Sequence, residues 1–217
     1  MYIKPIETEY NGYRFRSRLE ARWAVFFDAM HIEYDYEPEG FVGFDGSKYL
    51  PDFYLPAENL YVEVKGSDEQ LESDWDKLAC AIDYNSTPVS NGLLILGKIP
   101  NPKDEPLSTP VFSYLWWNEG VTCDYAAFSC DLVTGTGKVL RGMNAIHEDL
   151  LKRLEVRDTR YRLDFSAAGC EMPGNVTTCE RLVCDMSTPT VCQYYVTDAL
   201  ERARQARFEY GEKPTVR

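Results

Sequence analysis

The sequence predicts an α/β protein whose first hundred residues build a mixed β-sheet flanked by helices. Three observations carry that expectation. In "SRLEARWAVFFDAM", residues 17 to 30, Leu19, Trp23, Phe26, Phe27 and Met30 recur at spacings of three and four, the period of an amphipathic helix. "IEYDYEPEGF" and "YLPDFYL" alternate apolar and polar residues as half-buried strands do, and "LYVEVKG" follows the turn-like "PAEN". "GLLILG" is a short unbroken apolar run, the mark of a strand covered on both faces.

In chain order, Ser17 is placed to cap the first helix, which feeds a meander of strands. The acidic "SDEQLESDWDKLACAIDY" reads as a second helix with Leu71, Trp75, Leu78 and Ile82 on one face, and the apolar strand closes the core near residue 100. "GKIPNPKDEPLSTP", residues 97 to 110, holds four prolines in fourteen residues and reads as a linker or long loop. It divides a core, residues 1–100, from a C-terminal region, residues 111–217. In that region "VFSYLWW" and "VTCDYAAF" read as strands, "NAIHEDLLKRLE" as a helix and "DALERARQARFEYGE" as a C-terminal helix. Residues 154–194 have no clear period, and no internal repeat is visible.

Composition excludes several classes. With 44% hydrophobic and 13% aromatic residues in 217, the chain has the material for a packed core and lacks the polar bias of disorder. No run approaches the roughly 20 apolar residues of a membrane span, and "MYIKPIETEYNG" lacks the apolar centre of a signal peptide, so a cytoplasmic protein is expected. The seven cysteines are odd in number and their spacings suggest no disulfide framework. Six of them, Cys123, Cys130, Cys170, Cys179, Cys184 and Cys192, lie in the second half, but none forms a CxxC pair, so buried thiols are expected and zinc is not. His31 and His147 have no recognisable partner nearby in sequence.

Charge is unevenly spread. Residues 1–130 carry 10 Lys and Arg against 22 Asp and Glu, whereas residues 131–217 carry 13 of each. Such an acidic first half argues against loose adhesion to nucleic acid, which depends on neutralising phosphates. Any contact must be local, and "YRFRSRLEAR" supplies one basic cluster in Arg14, Arg16, Arg18 and Arg22.

The charges inside the apolar strands point to chemistry. Residues i and i+2 of a strand share a face, so Glu63 and Lys65 project together. If "LPDFYL" pairs with "LYVEVK", Asp52 comes near Glu63, giving two carboxylates and one ammonium in a small volume. Two such carboxylates repel each other and favour a divalent ion between them, and an oxygen-only set suits Mg2+ or Mn2+ better than zinc.

Pro51-Asp52 followed by Glu63-Val64-Lys65 resembles the PD-(D/E)XK nuclease superfamily. Glu20, on the helix upstream, matches the glutamate that many members place there, in the order seen in transposon-end nucleases and phage junction-resolving nucleases. "YRFRSRLEARWAVFFDAMHIEYDYEPEGF" and the C-terminal "RARQARFEYGE" also look like small phage and bacterial proteins with this motif, and the resemblance is dense over residues 10–97. It implies a restriction-endonuclease-like core and a Mg2+-dependent endodeoxyribonuclease of phage or mobile-element DNA processing. Asp52, Glu63 and the carbonyl of Val64 would bind the metal, Glu20 would position it or bring a second, and Lys65 would orient or deprotonate the attacking water. The four arginines would then contact DNA phosphates. One such site cuts one strand, so paired cuts would call for two subunits, as in a homodimer, or for two binding events.

Each residue also has a plainer reading. Glu20 stands at capping-box spacing from Ser17, Asp52 after proline is a common turn pair, and the arginines fit a solvated helix face. Glu63 and Lys65 fit an exposed ion pair worth about 0.2 to 1 kcal/mol. The rival function is a catalytically inactive nuclease-fold binding module acting in a protein–nucleic acid assembly, with acidic "DEQLESDWDK" engaging a basic partner.

Overall fold

The computed structural model describes residues 6–43, 45–82, 89, 92–102, 108–117, 120–131, 134–142, 144–146, 148–149, 180–183 and 191–208. A hairpin of β1 (Thr8–Tyr10) and β2 (Tyr13–Phe15) leads into α1 (Arg18–Ala29). Ser17, in extended backbone, accepts a hydrogen bond from the Glu20 N–H at 3.2 Å and starts the helix as its spacing suggests. At the other end His31 takes the left-handed conformation, φ 54°, that glycine usually supplies. Its N–H donates to Asp28 and that of Ile32 to Phe27, closing the last turn in a Schellman motif.

Two segments expected as single strands are each split. β3 (Asp35–Tyr36) and β4 (Phe41–Val42) are separated where Glu37 has φ 45° and Pro38 follows. β5 (Lys48–Tyr49) and β6 (Phe53–Leu55) are separated at Pro51, which has no N–H to give to a ladder. β4 and β5 pair with each other outside the main sheet. β7 (Leu60–Val64), α2 (Asp68–Ile82) and β8 (Leu93–Leu96) follow.

The main sheet runs in the order β11-β10-β9-β8-β7-β6-β3, with β9 (Ser108–Trp117), β10 (Val121–Cys130) and β11 (Gly137–Arg141) at one side. β12 (Glu180–Val183) pairs with the start of β9. The β7–β8 pair is parallel, with α2 as its crossover, and the other pairs are antiparallel. The protein is therefore α/β with a mixed sheet between helices. β9 begins inside the proline-rich segment and lies against β8, so the strands after that segment extend the same sheet.

Alternation along the strands sends residues to two cores. Val62, Leu94 and Leu96 join α1 and the C-terminal helix α3 (Val191–Gln205), whereas Tyr61, Leu93 and Ile95 join α2 and the β4–β5 hairpin. Trp23 fixes α1 in the first core. It is fully buried, stacks edge-on with Phe26 and Phe112, and donates its indole N–H to the Gly97 carbonyl at 2.9 Å. The expected helix at 144–155 is helical at 144–146 and 148–149, and the rest of it, like residues 151–179, lies outside the described residues.

Trp23→Ala removes both the stacking and the bond to Gly97, just past the end of β8, and is expected to cost about 3 to 5 kcal/mol in urea unfolding. A loss under about 1 kcal/mol, the range of surface substitutions, would mean that α1 is not seated through this side chain.

Candidate active site

Glu63 and Lys65 have the same parity as Tyr61 and so belong to the α2 side of the sheet. They are 7% and 8% exposed, which excludes the surface ion pair among the plainer readings. The β6–β7 register pairs Phe53 with Val62, and one further step sets Asp52, 9% exposed, opposite Glu63. Asp52 accepts the Val64 N–H at 2.7 Å, so it closes the end of the hairpin as well as facing Glu63. Glu20 arrives from the first turn of α1 and is 7% exposed.

Each glutamate is held by a tyrosine. The Tyr49 hydroxyl donates to Glu63 Oε2 at 2.8 Å, and the Tyr36 hydroxyl donates to Glu20 Oε2 at 2.6 Å. Glu20 Oε2 also accepts the Arg16 N–H at 3.1 Å, so the residue helps tie off the helix start, one residue before the cap itself. Lys65 Nζ lies 2.8 Å from Glu63 Oε1 and 2.5 Å from Asp74 Oδ2 on α2. Sequence reasoning missed Tyr36, Tyr49 and Asp74. Tyr49 stands three residues before Asp52, and Asp74 was one acid among many on an acidic helix.

Electrostatics make Asp52 the centre. Burial pushes its carboxyl well above the usual range, and the negative charges of Glu63 and Glu20 push it further, against the Val64 N–H and the Lys65 ammonium. Burial works against the Lys65 charge, but Glu63 and Asp74 together outweigh it and hold that pKa above its ordinary value. Burial, then Glu63, also drives the Tyr49 hydroxyl up, so it stays a donor.

The arginines are spread along the α1 approach. Arg14 is exposed and paired with Glu7, Arg16 Nε lies 2.6 Å from Glu37 Oε1, and Arg18 and Arg22 are half-buried on α1. Among the described residues, Cys80, Cys123 and Cys130 are in no disulfide, while Cys170, Cys179 and Cys184 lie outside the described residues, as does His147.

Among the described residues, no three carboxylate, imidazole or thiol groups stand close enough to hold a metal ion as placed. Glu63 is occupied on both oxygens, by Tyr49 and Lys65, and Glu20 turns one oxygen to Tyr36 and Arg16. The chemistry of the donors still fits a hard divalent cation. Buried Asp52 feels the charges of Glu63 and Glu20, the one ammonium, Lys65, is shared between Glu63 and Asp74, and among the described residues the second oxygen of Asp52 accepts no hydrogen bond.

A carboxyl with a raised folded-state pKa favours the fold below the ordinary carboxylate range, and that contribution is lost as pH rises through the raised value. Asp52→Asn keeps the acceptor for Val64 and removes the charge. In EDTA at pH 8 it is expected to raise the melting temperature by about 2 to 8 °C, equivalent to roughly 1 to 2 kcal/mol, with little gain at pH 4. An unchanged or lower melting temperature at pH 8 would contradict this.

Comparison with family models, with curated protein sequences and with solved structures finds no match to this chain.

Proposed function

We propose that this protein is a metal-dependent endodeoxyribonuclease whose core is of the restriction-endonuclease-like, PD-(D/E)XK type. The observation that supports this reading is the company Asp52 keeps. Glu20, Glu63 and Lys65, from two further elements, all act on its charge from within a buried site. Folding alone gives no reason for that arrangement, because apolar residues of similar size in place of a buried ion pair are often neutral or stabilising. Excess buried carboxylate is a cost that a reaction explains.

Mg2+ or Mn2+, held by Asp52, Glu63 and the Val64 carbonyl with Glu20 beside them, would lower the pKa of a bound water and polarise the phosphodiester. The residues themselves supply the rest. Lys65, charged and nearly dry, donates to a phosphoryl oxygen or to the attacking water, where a desolvated ammonium acts most strongly. Tyr49 and Tyr36 hold the two glutamates, as hydrogen bonds to ligating carboxylates do in metal sites. Arg14, Arg16, Arg18 and Arg22 give the acidic chain its local phosphate contacts, with Glu7 and Glu37 displaced from the first two.

The test is incubation with supercoiled, linear, single-stranded and branched DNA in Mg2+, in Mn2+ and in EDTA. Wild type is expected to cleave at least one form in metal only, and Asp52→Ala and Lys65→Ala to lose cleavage while keeping their circular dichroism. Cleavage retained in either variant would sink this mechanism. Mg2+ binding with no cleavage of any DNA would favour the inactive binding module.

A further inference from the structure

We propose that Asp74 is the positioning residue of Lys65 and keeps its ammonium in place independently of Glu63. This rests on reading the site as a phosphodiester hydrolase. Lys65 Nζ has two anchors of different kinds: Glu63, itself a candidate metal ligand, and Asp74, nine residues along the chain on α2. A lysine held by Glu63 alone would lose its counter-charge when that carboxylate turned to a divalent cation, and the cation would repel it. Asp74 removes that conflict, since its carboxylate can stay with Lys65 while Glu63 turns.

The fold makes the second anchor stiff. Lys65 is tied into the sheet by its own N–H, which donates to the Leu96 carbonyl at 2.8 Å. Only Gly66 and Ser67 separate it from α2. The Gly66 N–H donates to Gln70 Oε1 at 2.9 Å, and the Leu71 N–H to the Ser67 carbonyl at 3.3 Å, so the first turn of the helix is fastened to the strand end. Leu71, Leu78, Ala81 and Ile82 are buried and fix the helix against the sheet. Asp74 therefore approaches from a rigid element, with its side chain 38% exposed against 10% for Lys65. One turn further on, Lys77 Nζ lies 5.8 Å from the centre of the Tyr49 ring, and the hydroxyl of that ring holds Glu63. The same helix face thus touches Lys65 directly and lies against the tyrosine that holds Glu63.

Asp74→Asn and Asp74→Glu separate this role from its rivals. In metal-free protein, reductive methylation of Lys65 followed by mass spectrometry is expected to run several-fold faster in Asp74→Asn than in wild type or Asp74→Glu. Calorimetry with Mg2+ alone is expected to give the same affinity in all three. On a DNA that wild type cleaves, Asp74→Asn is expected to lose about 10- to 100-fold in kcat with KM unchanged, and Asp74→Glu to recover part of it. Unchanged methylation would overturn the proposal. Lost Mg2+ affinity would overturn it by making Asp74 a ligand, and a change confined to KM would do so by making it a substrate contact. If wild type cleaves no DNA, the nuclease reading fails by itself, and the methylation comparison still decides whether Asp74 holds Lys65.

Discussion

The ion pair between Lys65 and Glu63 is the constraint around which the rest of the molecule is arranged. Both charges sit at the end of the inner strand β7, 2.8 Å apart and almost without water. A lone charge there would cost several kcal/mol, so every neighbouring element has to contribute a partner or exclude solvent. β6 brings Asp52 by register, β5 brings Tyr49, and α2 brings Asp74. α1, seated by Trp23 in the core shared with β9, β10 and α3, brings Glu20.

Those partners do not balance. The carboxylates outnumber the ammonium, and Asp52 carries the consequence as a strongly raised pKa. A structure selected only for stability would place apolar side chains on this face of the sheet, as stand nearby at Tyr61 on β7 and Ile95 on β8. The imbalance is concentrated within the reach of four side chains, while the surrounding sheet faces are apolar. That contrast ties the electrostatics to the proposed chemistry.

Much of the site was legible because it depends on short-range rules. The period of Leu19, Trp23, Phe26, Phe27 and Met30 gave α1, and strand parity placed Glu63 and Lys65 on one face with Asp52 opposite. What escaped depends on side chains meeting across the fold. Nothing near Tyr36 or Tyr49 indicates that their hydroxyls end on glutamates 16 and 14 residues away. The splitting of two expected strands turned on Glu37 and Pro51, where alternation continued but the backbone ladder could not. The arginine cluster was visible as charge, whereas the pairing of Arg14 with Glu7 and Arg16 with Glu37 depends on the β1–β2 hairpin and the β3 turn. The long β9–β10 hairpin was read as strands, but its place in the same sheet depends on contacts across the proline-rich segment.

The proposed chemistry requires Asp52 and Glu63 to form one cation site at the end of β7. The most direct measurement is a crystal structure of the protein grown in Mn2+, with anomalous diffraction collected to locate the ion. An anomalous peak is expected within coordination distance of the Asp52 and Glu63 carboxylates and the Val64 carbonyl, with Lys65 still on Asp74. No peak there, with Glu63 still bound to Lys65 and Tyr49 at high Mn2+, would contradict it.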